Sequence, residues 1–170
     1  MSDSILPDSV RNKPHIAVFD QAMGEGWALF NADTVEVARA LPMSSVGLSV
    51  FSPPFADLYV YSDNPLDMGN SRGGEEFMAH YDYLVREQFR VMMPGRLVSA
   101  HCMNLPRSKE RDGVIGIKDF RGDLIRAFEA HGFIYHSEVV IWKDPLIAAT
   151  RTHALGLAHQ QIVKDSAMCR

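Results

Sequence analysis

Ser52-Pro53-Pro54-Phe55 is the stretch of this chain best suited to chemistry. It holds one hydroxyl, two prolines and one flat aromatic ring. Each proline fixes φ near −65° and removes a backbone donor. Each also pushes the residue before it toward an extended conformation. Such a stretch presents carbonyls with no competing N–H neighbours, flanked by a hydrogen-bonding side chain and a stacking surface. A planar ring carrying an amino group fits a site of that composition.

The elements around it must hold it still. Val46-Gly47-Leu48-Ser49-Val50-Phe51 is almost wholly apolar and leads straight into the motif. That pattern predicts a parallel strand covered on both faces. Upstream, Trp27-Ala28-Leu29-Phe30 reads as a short strand running into Asn31-Ala32-Asp33. Ile16 to Phe19 is a short apolar segment of no clear type. Asp33 and Thr34 are good helix N-cap types, and the apolar residues from Val35 to Leu41 predict a short helix closed by Pro42. Downstream, residues 56–74 are rich in Asp, Asn and Gly and read as a long loop. The spacing of Phe77, Tyr81, Leu84, Val85, Gln88, Phe89 and Met92 predicts a helix over 75–93, ended by Pro94-Gly95. Leu97 to Cys102 is a third strand, and 103–118 a second long loop. Phe120, Leu124, Phe128 and His131 trace another helix stopped by Gly132, and Glu138 to Trp142 reads as a last strand.

Alternating strands and helices predict an α/β fold with a mostly parallel sheet and flanking helices. Ligands in such sheets bind at the C-terminal strand ends. Asp33, Ser52 and His101-Cys102 all fall at predicted strand ends and are expected along one sheet edge. His101-Cys102 lacks the spacing of a metal site and reads as a strand-end pair. Trp142, Met92 and Met93 read as core.

Composition narrows the classes. The chain has 170 residues, 46% hydrophobic and 22% charged, which suits one domain. A formal charge of −4 excludes a globally electrostatic nucleic-acid binder and leaves only a local basic patch for that role. The two cysteines, Cys102 and Cys169, favour a reducing, cytoplasmic compartment without a disulfide framework. No apolar run approaches a membrane span of roughly 18 residues, and no metal ligand set is expected. Residues 1–14 read as a polar arm, 15–145 as the catalytic part, and 146–170 as a tail with helical potential.

Taken together, these segments resemble the amino-methylating DNA methyltransferases, which act on N4 of cytosine or N6 of adenine. Ser52-Pro53-Pro54-Phe55 is similar to that family's (D/N/S)-P-P-(Y/F/W) signature. Leu29 to Asp33 resembles its strand-then-acid segment. Arg90-Val91-Met92-Met93-Pro94-Gly95-Arg96 resembles its Arg-Val-Leu-Lys-Pro-Gly-Gly run, with Arg96 in place of the second glycine. His131-Gly132-Phe133 and Val140-Ile141-Trp142-Lys143 resemble its Gly-Phe and Trp-x-Lys segments. The order matches the permuted group in which the catalytic half comes first.

The resemblance implies a partial Rossmann-like S-adenosylmethionine-dependent methyltransferase sheet and, as a role, site-specific DNA methylation of the restriction-modification kind. It implies that the Ser52 hydroxyl and the Pro53 carbonyl accept the two amino protons of a flipped base, with Pro54 stiffening the exit and Phe55 stacking on the ring. It places Asp33, with Asn31, near the adenosine of S-adenosylmethionine. Arg72, Arg107, Lys109 and Arg111 are candidate DNA phosphate contacts. The family's Phe-x-Gly-x-Gly cofactor loop does not follow residue 145. The expected partners are therefore DNA and a cofactor-binding half, supplied by a continuation of the chain or a separate polypeptide. Lacking that half, the open sheet is expected to self-associate. A non-catalytic module of the same fold, binding DNA or a partner, is the competing expectation.

Overall fold

A computed structural model describes residues 18–56, 62–63, 67–71 and 73–143. The first described element is a hairpin. Strand β1 (Val18–Gly24) turns through Glu25 and Gly26 into β2 (Trp27–Ala32), and the two pair antiparallel. Gly26 takes φ +82°, a conformation that glycine adopts without a Cβ clash. The expected strand at Trp27 is present, but it belongs to this separate antiparallel sheet and not to the parallel one. Helix α1 (Thr34–Ala40) follows, and the Asp33 carboxylate accepts from the Glu36 N–H at 2.9 Å. The predicted N-cap is thus observed.

The centre of the fold is a strand-helix-strand unit. Strand β3 (Val46–Phe51) leads through the motif and a 3-10 turn at Met68–Asn70 to helix α2 (Gly74–Val91), which returns to β4 (Met92–Ala100). β3 and β4 are parallel, with Leu48 opposite Leu97, Val50 opposite Ser99 and Phe51 opposite Ala100. The helix ends three residues before Pro94, at Val91. Pro94 and Gly95 instead lie inside β4, where the register slips between Val46 and Leu48 and Gly95 takes φ +73°. A bulge of this kind absorbs a proline that an unbroken ladder would reject.

The predicted loop at 103–118 is an ordered hairpin. β5 (Leu105–Arg107) pairs antiparallel with β6 (Gly116–Lys118), and a single helical turn, α3 (Lys109–Asp112), forms its tip. Helix α4 (Phe120–Ala130) then ends at His131, and Gly132 takes φ +97°. Glu138 to Trp142, expected as a strand, joins no sheet among the described residues. Trp142 is 77% exposed and Val139 89% exposed, so neither joins the core.

Among the described residues the fold is therefore mixed α/β with three short two-stranded sheets, one of them parallel. The core lies between α2 and α4 and holds Phe77, Tyr81, Leu84, Val85, Leu105, Phe120 and Leu124. Phe77 stacks on Tyr81 at 5.6 Å and tilts against Phe120 at 5.5 Å. Of the predicted helical stripe, Phe89 lies half exposed, and Met92 is buried as the first residue of β4.

Only one face of the β3–β4 pair meets this core. Phe51 packs against it, whereas Leu48, Val50 and Leu97 on the opposite face are exposed. Parallel strands are normally covered on both sides, so this face is unusual. No helix among the described residues is long and apolar enough to cross a membrane.

Candidate active site

Ser52-Pro53-Pro54-Phe55 leaves the C-terminal end of β3, beside the C-terminal end of β4. The backbone N–H of His101 donates to the Phe51 carbonyl at 2.8 Å. One residue on, the Ser52 hydroxyl donates to the His101 carbonyl at 3.1 Å. Ser52 itself is exposed, Pro53 is buried, and Pro54 and Phe55 are half-buried. Phe55 packs against the core cluster and stays partly exposed. The next residue, Ala56, is fully buried at φ +49°. A non-glycine residue in that region carries strain of order 1–3 kcal/mol, and such strain gathers at functional sites.

This arrangement presents hydroxyl lone pairs, proline carbonyls and an aromatic face on one strand end. It suits the binding of a planar group that donates hydrogen bonds. The Ser52 proton is already engaged by His101, so the oxygen is left to accept.

Ser52 and His101 therefore meet as the spacing predicts. Asp33 and Asn31 do not join them. They belong to the antiparallel hairpin and the turn after it, and the Asp33 carboxylate is engaged by Glu36. Among the described residues no hydrogen bond ties either one to the motif.

Arg107, Lys109 and Arg111 share the β5–β6 hairpin, whose first residue lies four positions past His101. Arg111 donates to the Pro106 carbonyl at 2.7 Å and pairs with Asp112 at 3.1 Å. Partial burial alone would raise the Asp112 carboxyl, but the Ser108 N–H and the Arg111 guanidinium outweigh it and hold Asp112 below its ordinary range. Arg111 thus serves the hairpin, and Arg107 is its exposed neighbour. Arg72 lies outside the described residues.

Several neighbours carry no obvious sequence signal. Cys102 lies half-buried against the core, and burial pushes its thiol up, with Arg121 opposing and Glu138 reinforcing the shift. Arg121 pairs with Glu138, which also accepts from the Tyr135 hydroxyl at 2.7 Å. The Tyr81 hydroxyl is buried without a partner among the described residues, and burial, followed by the proximity of Cys102, raises its pKa well above the ordinary value. The His101 carbonyl could have been anticipated, because a proline after a parallel strand leaves a carbonyl on the neighbouring strand without its donor. Among the described residues no group of His, Cys, Asp and Glu could hold a metal ion.

No protein-family model matches the sequence, and no curated protein matches it significantly. Two solved structures are similar in backbone trace. Both are of TTHA0409 from Thermus thermophilus, a protein inferred to be a DNA modification methylase. The selenomethionine derivative matches with a TM-score of 0.45 and 21% identity, over 65% of this chain and 46% of that one. The complex with S-adenosyl-L-methionine matches with a TM-score of 0.46 and 20% identity, over 65% of this chain and 48% of that one. The chain spans less than half the length of the structures it matches.

Proposed function

We propose that this chain is the catalytic part of a DNA amino-methyltransferase, acting on the exocyclic nitrogen of cytosine or adenine. The observation that carries the reading is the Ser52 hydroxyl, exposed at the C-terminal end of a parallel strand pair with its proton engaged by the His101 carbonyl. An aromatic amino group is a poor nucleophile because its lone pair is delocalised into the ring. Two acceptors that take its protons draw the nitrogen toward a tetrahedral, more nucleophilic geometry. Ser52 is one acceptor, and the Pro53 carbonyl is the second. The accessible side of Phe55 stacks on the extruded base and returns about 1–3 kcal/mol of the few kcal/mol that flipping costs. Positioning and fixed dipoles carry this chemistry.

The methyl donor, S-adenosylmethionine, belongs to a cofactor-binding half that completes the sheet. The bare face at Leu48, Val50 and Leu97 supports a missing layer of this kind. Arg107 of the neighbouring hairpin, with Lys109 and Arg111, is proposed to meet DNA phosphates, and the exposure of Arg107 supports this. Arg72 is proposed for the same role.

The test is transfer of labelled methyl from S-adenosylmethionine to DNA, by the chain with and without a supplied cofactor half. Transfer that appears only with the half, and falls at least about 100-fold in Ser52→Ala, supports the reading. Transfer that survives Ser52→Ala overturns the assigned chemistry. DNA binding without any transfer favours a non-catalytic module.

A further inference from the structure

Phe51 stands opposite Ala100, and its carbonyl accepts from the His101 N–H at 2.8 Å. In a parallel ladder every second residue turns both its backbone groups toward the same neighbour. The next rung would therefore run from the N–H of residue 53 to the His101 carbonyl. Residue 53 is proline and has no N–H. The Ser52 hydroxyl donates to that same carbonyl at 3.1 Å.

We infer that the Ser52 side chain substitutes for the ladder rung that Pro53 deletes, and that this substitution makes Ser52 a positioned acceptor toward any ligand. The hydroxyl has one proton, and β4 consumes it. Both ends of the residue are then specified: a donor toward His101 and lone pairs toward the outside. The ligand-facing half rests on the proposed function, and the strand-facing half stands without it.

This sets rules for position 52. Threonine keeps both ends. Asparagine also keeps them, with its amide N–H toward His101 and its oxygen outward. Alanine loses both. Aspartate keeps an acceptor but sets a carboxylate against the His101 carbonyl with no proton between them. In this chain an acid at position 52 is therefore a worse choice than an amide.

A thermodynamic cycle on the full 170-residue chain tests the inference. Ser52→Ala is expected to lower the thermal midpoint by about 2–4 °C, the loss of one hydrogen bond in a chain of this length. In the Pro53→Ala background the same Ser52→Ala change is expected to cost almost nothing, because residue 53 now has an N–H for His101. Its amide is also expected to exchange slowly in the double variant. Equal losses in both backgrounds, or exchange of residue 53 at the free-peptide rate, would overturn the inference. So would a Ser52→Asp midpoint equal to that of Ser52→Asn. Methyl transfer is scored separately in the same proteins. The double variant is expected to recover stability without recovering transfer. A coupled cycle in a wild-type chain that transfers no methyl group even with the cofactor-binding half supplied leaves the inference standing and removes the proposed function.

Discussion

At the scale of single residues, polar atoms are sorted by whether their protons have a destination. Ser52 has one in the His101 carbonyl, and Tyr81 has none among the described residues. Burying a hydroxyl without a partner costs about 1–3 kcal/mol. Tyr81→Phe removes the oxygen and keeps the ring against Phe77 and Phe128, so it is expected to leave stability unchanged or raise it by up to about 1 kcal/mol. Urea denaturation measures this, and a loss above about 1 kcal/mol would mean that the hydroxyl has a partner. The same group predicts an alkaline limb. Burial raises its folded pKa above the unfolded value of about 10, so the folded state holds the proton more tightly. Its contribution is complete below about pH 10 and declines as pH rises toward the folded pKa. Tyr81→Phe should flatten the fall in stability above about pH 10. The sequence showed Tyr81 as one member of an apolar stripe. Whether its hydroxyl finds a partner depends on packing between α2 and α4, which no local pattern carries.

At the scale of elements, long-range contacts settle what periodicity leaves open. Arg90 lies in the last turn of α2, where it pairs with the buried Glu87 at 2.7 Å. Its two terminal nitrogens reach the C-terminal carbonyls of α1, donating to Ala38 at 2.8 Å and Leu41 at 2.9 Å. One guanidinium thus caps a helix 49 to 52 positions away in sequence. Arg90→Met leaves the buried Glu87 only the long Arg86 contact at 4.0 Å and removes one donor from each of those carbonyls, at an expected cost of about 2–4 kcal/mol. Adding Glu87→Leu should return most of that loss, which denaturation of the double variant would show. Gly132 serves the other helix end, and a Cβ there would lie 3.2 Å from the Phe89 ring at φ +97°. Gly132→Ala is expected to cost about 1–2 kcal/mol by the same measurement.

Element existence was largely legible. The strand at Val46, the helices after Asp33, Gly74 and Asp119, and the stop at Gly132 follow from caps, periodicity and glycine. The misreadings share one cause. Trp27 and Glu138 head apolar runs that satisfy strand chemistry locally, yet pairing is a property of partners. Pro94-Gly95 looked like a helix stop because a proline inside a strand is tolerated only at a bulge, and a bulge is defined by the opposing strand.

At the scale of the whole molecule, apolar surface outruns what the described elements cover. Leu48, Val50 and Leu97 form one bare face, and Ile134, Val139, Val140, Ile141 and Trp142 add an exposed apolar segment. Surfaces of this kind recruit other chains. The isolated chain is expected to associate with itself as its concentration rises, and Leu48→Thr combined with Val50→Thr should weaken that association without loss of circular-dichroism signal. Sedimentation velocity over a concentration series measures it, and concentration-independent monomer behaviour of the unmodified chain would contradict it. The composition shows ample apolar residues for a core, but only the structure reveals how many of them that core leaves outside.

The two prolines of the motif act on different sides of the same strand. Alternation turns residue 53 toward β4 and residue 54 toward the edge of β3 that is unpaired among the described residues, along which residues 48, 50 and 52 offer backbone groups. A chain laid along that free edge could zip up as far as Ser52 and would then meet a position with no hydrogen to give. Pro54 therefore acts as a buffer stop against runaway sheet growth, keeping the mouth of the site clear even while the strand beneath it remains open to company.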